Sequence, residues 1–131
     1  MGLFTPIWMT RNIKKQDKAI DAVKKITDQD MLYKIACNAP LDDVRVAATM
    51  QITDQGMLEK LASVFKDIPV NLAAIPRLTN IELVHKIHSF ECESDEIREA
   101  ALKVIIEHQN ESFRKILENM KEKEQLRKDQ D

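Results

Sequence analysis

The sequence predicts an all-α chain folded as a short stack of helical hairpins, and three observations predict it. The first is composition: of 131 residues 44% are hydrophobic and 32% charged, with only two glycines and four prolines. Such a chain is rich in helix formers and poor in the residues that turn hairpins between strands. The second is a copied stretch: "ITDQDML" at 26–32 returns as "ITDQGML" at 52–58, six of seven residues alike at a spacing of 26. The third is that apolar residues recur at helical spacing on both sides of that stretch, and a period of 20–50 residues is the signature of a solenoid.

The repeat divides the chain. Residues 17–42 align without gaps on 43–68 and on 69–94, placing Ala22, Ala48 and Ala74 in one column and Ile26, Ile52 and Leu78 in another. A fourth copy, 95–120, starts after a one-residue insertion, so that "VRVAA" at 44–48 is answered by "IREAA" at 97–101. In the second copy Val44, Ala47 and Ala48 lead to Ile52, and Met57, Leu58, Leu61, Ala62 and Phe65 form another stripe. Each copy therefore reads as two short helices joined at the "ITDQ" element. Thr27, Thr53 and Thr79 are the expected caps of the second helices, and "TNIE" at 79–82 has the form of a capping box with Glu82 reaching back. Pro69 suits a first helical turn, whereas Pro76, seven residues on, should kink or end its helix.

The ends differ from the middle. Lys18 and Asp21 stand where later copies hold apolar residues, so the first helix should be half solvated, with Leu3, Phe4, Ile7 and Trp8 in residues 1–16 folding over it as an apolar cap. Phe113, Ile116, Leu117 and Met120 should form the stripe of a last second helix, and 121–131 is a polar helix end or tail.

Helical hairpins with "VRxAA" opening the first helix and "TDQxxL" opening the second resemble the HEAT-like repeats of the armadillo-type superfamily, over about residues 17–120. The resemblance implies a short right-handed α-solenoid of about four hairpins. It leaves function open, since such repeats serve as protein-binding scaffolds, in bilin lyases and in a kind of DNA glycosylase. It also implies that the motif's arginine braces neighbouring repeats, with Arg45 near Asp42 or Asp43 and Arg98 near Asp95; the same column holds Ala19 and Asn71 in the other copies.

Chemistry is sparse. Gly2 and Gly56 alone cannot build a phosphate-cradling loop, and nothing resembles a nucleophile elbow or a zinc ribbon, so no catalytic residue and no cofactor is expected. His85, His88 and Cys92 have legal metal-ligand spacing on a helix, but His88 falls in the core column of Ala36 and Ala62, which favours a structural imidazole and no metal. Cys37 and Cys92 are read as reduced thiols, separated by two helical pairs. A glycosylase-like or nucleic-acid-binding protein would want a basic groove and stacking aromatics, whereas lysine and arginine number 20 against 22 acidic residues and Trp8 and Tyr33 are the single Trp and Tyr. The apolar prefix lacks the order of a secretory signal and no run approaches a membrane span, so a cytoplasmic location is expected; a membrane-surface adaptor anchored by that prefix is a third reading.

What remains is a column of lysines. Lys34, Lys60 and Lys86 hold one place in three second helices, with Tyr33 beside the first and Lys115 continuing the row if the fourth second helix aligns on Phe113 and Ile116. The expected function is a non-enzymatic interaction module, or scaffold, binding an acidic protein partner through that face. The competing explanation is a solvated helix surface copied along with the repeat.

Overall fold

A computed structural model describes residues 5–89 and 94–130. Among them every regular element is helical: α1 (Gln16–Lys24), α2 (Gln29–Asn38), α3 (Asp42–Gln51), α4 (Gln55–Ser63), α5 (Ile68–Ala74), α6 (Ile81–His88) and α7 (Asp95–Asp129). Short 3-10 turns lie at Ile7–Met9, Ile13–Lys15 and Ile75–Arg77.

Helix starts are fixed by short polar side chains, one residue away from the position the sequence predicts. Asp28, Asp54 and Asn80, not the threonines before them, are the N-caps of α2, α4 and α6. Asp54 Oδ1 accepts from the Met57 N–H at 3.0 Å, and Asn80 Oδ1 from the Leu83 N–H at 3.3 Å. With Asn80 as the cap, Leu83 rather than Glu82 occupies the third helical position, and the expected capping box does not form.

The threonines have another use. Gln29 at the start of α2 sends its Oε1 across to the next copy, where it accepts from the Thr53 N–H at 2.8 Å and the Asp54 N–H at 3.2 Å. Gln55 repeats the contact 24 residues on, accepting from the Thr79 N–H at 3.1 Å while its amide donates to the Arg77 carbonyl at 2.9 Å. Each "TDQ" is thus a cap and a clamp at once: Asp holds its own helix, and Gln holds the turn of the following copy. The third copy reads Thr79, Asn80, Ile81, and its clamp residue is replaced by a half-buried apolar one.

The fourth copy explains why. Residues 95–120 do not form a hairpin; they lie within the single 35-residue helix α7, so there is no fourth turn for residue 81 to clamp. The predicted last stripe, Phe113, Ile116, Leu117 and Met120, is exposed. The packing supplies the reason. The two most extensive helix pairs are α6 with α7 and α2 with α3, which like α4 with α5 straddle the copy boundaries, and the first helices α1, α3, α5 and α7 follow one another in contact. The two helices within one copy approach each other much less closely. A stack paired in that phase is completed by the first helix of a fourth copy; its second helix has nothing left to cover.

The core is aliphatic, with Leu32, Ile35, Ile52, Leu58, Leu61 and Ile75 fully buried. At the open end Trp8 is buried and its 3-10 turn packs on α1, while Lys18 and Asp21 face solvent. Leu3 and Phe4 lie outside the described residues. Pro76 ends α5 as its ring requires: the helix stops at Ala74 and the chain passes into the 3-10 turn.

Polar side chains lock the copies together at the helix ends, where carbonyls lack intrahelical partners. Arg45, 14% exposed, donates through Nη1 to the carbonyls of Ala39 (2.7 Å) and Pro40 (3.2 Å), and through Nη2 to Asp42 and to Asp67, the latter at 3.1 Å. Asp67 itself caps α5. The expected brace therefore extends beyond Asp42 to Asp67, the cap of α5. Asn71, in the same column, is buried and donates to the carbonyls of Leu61 at 2.6 Å and Phe65 at 2.8 Å, serving the end of α4 as Arg45 serves the end of α2. Arg98 pairs with Asp95 at 3.3 Å.

Candidate partner-binding surface

On the second helices burial alternates so that lysine must point outward. In α2, Leu32 and Ile35 are fully buried and Lys34 between them is exposed; in α4, Leu58 and Leu61 enclose an exposed Lys60; in α6, Val84 is buried, Ile87 half-buried and Lys86 exposed. The three lysines stand on equivalent turns at intervals of 26 residues, and none has a carboxylate within ion-pair distance among the described residues. α2 and α4 touch directly. The face is not uniformly basic, since Asp30 and Glu82 stand four residues before Lys34 and Lys86, while Gly56 takes that place before Lys60.

Lys115 does not continue the row. It stands on α7, beyond the last packed residue of that helix, and pairs with Glu111 at 3.5 Å. Its predicted alignment assumed a second helix in the fourth copy, which the chain does not form.

Tyr33 is half-buried against the core, with its side chain hydrogen-bonded to Cys37 one turn on. Burial, reinforced by the neighbouring thiol, pushes the Tyr33 hydroxyl above its ordinary pKa. Burial likewise raises the Cys37 thiol, and the hydrogen bond with Tyr33 opposes that rise. The thiol is therefore protonated and a weak nucleophile at neutral pH. Tyr33 presents only part of its surface to a partner on this face.

The other chemistry weighed from the sequence fares as follows. His85 is exposed and His88 half-buried on α6, whereas Cys92 lies outside the described residues. Among the described residues no group of three His, Cys, Asp or Glu is placed to hold a metal, and no helix is long and apolar enough to cross a membrane. An open groove of about 700 Å³ runs between α5 and α7, with Leu72, Ala100, Leu102 and Ile106 as its floor and Glu96, Glu99, Glu107 and Lys103 on its rim. Sequence reading missed this groove because Leu102 and Ile106 lie off the repeat's core columns; their spacing of four residues was the available signal.

Compared with known proteins, the chain matches no family model, no curated protein and no solved structure.

Proposed function

We propose that the chain is a short HEAT-like α-solenoid acting as a non-enzymatic protein-binding module, and that its partner is an acidic protein segment laid across α2, α4 and α6. The observation that carries this reading is the placement of Lys34, Lys60 and Lys86 on equivalent, exposed turns without ion partners. Neighbouring helices in such stacks sit about 8–10 Å apart, a distance at which one extended segment can touch all three ammonium groups. Their mutual repulsion in the free protein is relieved by an acidic ligand and screened by salt over roughly 10 Å at 0.1 M. The succession of first helices α1, α3, α5 and α7, each on the last, supports the solenoid assignment.

A nucleic-acid or base-repair function is less well supported. Trp8 is buried under the N-terminal turn and cannot stack on a displaced base, and Asp30 and Glu82 would face phosphates. Fluorescence anisotropy of a glutamate-rich peptide and of duplex DNA, each at 50 and 200 mM salt, separates the two. The expected result is peptide binding that is lost in Lys34→Glu/Lys60→Glu/Lys86→Glu while helicity by circular dichroism is kept. Tighter binding of DNA, with its steep salt dependence, overturns the assignment.

A further inference from the structure

Beyond Ile105 the last helix leaves the body: every residue from Ile106 to Gln130 is exposed, a stretch of about 36 Å. A solitary helix surface of that length is normally polar all round. This one is not. Ile106, Phe113 and Met120 recur every seven residues, as do Leu102, Gln109, Ile116 and Lys123, offset from them by four and three. Together they form one stripe, and at 100° per residue its centre lies about 70° round α7 from the core residues Ala101 and Ile105, bordering the buried face. Phe113 is 63% exposed, Met120 60% and Ile116 55%.

The charges avoid that stripe. Between Val104 and Met120 all five charged side chains, Glu107, Glu111, Arg114, Lys115 and Glu118, fall on the opposite side, and the stripe is flanked by Asn110, Ser112, Leu117 and Asn119. A seam of seven-residue period with an uncharged border is what a facing helix of the same kind fits.

We infer that α7 pairs antiparallel with α7 of a second copy of this chain, making the protein a homodimer through its last helix. Orientation follows from the ends of the seam. Pairing Gln109 with Phe113 of the other copy sets Ile106 against Ile116, Leu102 against Met120 and Glu99 against Lys123. A parallel pair would instead set Glu99 against Glu99 and Lys123 against Lys123, with helix dipoles aligned unfavourably. In the antiparallel pair Lys123 of each helix comes to the groove beside Leu72, whose rim carries Glu96 and Glu99. The exposed apolar side chains of the stripe offer roughly 550 Å² per chain, or roughly 1,100 Å² for the pair, which clears the roughly 1,000 Å² that a specific interface needs. This surface is separate from the lysine row on the second helices, and the pairing does not depend on what that row binds.

Sedimentation equilibrium of the full chain between 1 and 100 µM, orders of magnitude typical of such interfaces, tests it. The expected result is a dimer of twice the 15.1 kDa chain mass. Phe113→Asp, on a residue beyond the packed turns of α7, should raise the dissociation constant at least about 30-fold. Glu99→Lys and Lys123→Glu should each weaken the dimer several-fold, and the double variant should regain most of the loss. A monomer throughout the range, or a dimer indifferent to Phe113→Asp, overturns the proposal; a dimer in which the double charge reversal restores nothing overturns the antiparallel register. Circular dichroism on Phe113→Asp, with the body's melting transition retained, keeps a folding defect from being read as lost association.

Discussion

At the scale of single residues, the side chains with the greatest structural leverage are those that satisfy carbonyls and amides at helix ends. Arg45 serves two carbonyls and two carboxylates from a largely buried position, so Arg45→Ala should cost about 2–3 kcal/mol in chemical denaturation, and Arg45→Lys should recover little because an ammonium cannot reproduce the fork. Gln55→Ala leaves the Thr79 N–H without its acceptor and should cost about 1–2 kcal/mol, comparable with loss of the Asp54 cap in Asp54→Ala. The Tyr33 and Cys37 pair adds a pH dependence. Folding raises both groups' pKa values, so their contribution is present in full below the ordinary thiol range and is lost as pH rises through the folded values. The melting temperature should accordingly fall as pH rises past the ordinary thiol pKa of about 8.5, and Cys37→Ser should flatten part of that fall.

At the scale of elements, α7 is two helices in one. Its first three turns carry Ala101 and Ile105 into the core and touch both α5 and α6. Within one chain the remainder is held by local terms, among them the Glu111–Lys115 pair at 3.5 Å and the Glu124–Lys128 pair at 4.0 Å. Such i, i+4 pairs contribute about 0.3–0.5 kcal/mol each, too little to make an isolated helix robust. Truncation after Gln109 should therefore leave the cooperative melting of the body within a few degrees of the full chain, with helical signal lost in proportion to the residues removed. A body that unfolds on truncation would show that residues 110–130 contribute to its core.

At the scale of the molecule, packing is between neighbours in the repeat, and the helix pairs straddle its boundaries. Excising residues 41–66, one full period of 26, joins Pro40 to Asp67, keeps the cap on α5 and brings Gln29 to Thr79 as Gln55 meets it now. The shortened chain should fold to a helical, cooperatively melting protein of lower stability, because each interface that remains is of a kind already present. Circular dichroism and size-exclusion chromatography check this; a wholly unfolded product would mean that contacts beyond nearest neighbours hold the stack.

The sequence by itself determined the helical class, the break at Pro76 and the outward set of Lys34, Lys60 and Lys86, because each follows from spacing and local chain chemistry within a few residues. It also marked where the polar locks lie, while misassigning three caps: in "TDQ" and "TNI" the threonine and the residue after it compete for the cap, and local pattern cannot choose between them. Only the tertiary structure decided that Gln29 and Gln55 reach into the next copy, since a hydrogen bond across 24 residues leaves no periodic trace in either segment. The end of the stack was likewise beyond local reading. Phe113, Ile116, Leu117 and Met120 have the spacing of a buried stripe, and apolar spacing states that a face exists without stating what covers it. Because the helices pair across copy boundaries, α7 completes the body with its first turns, and the rest of its apolar face is left exposed.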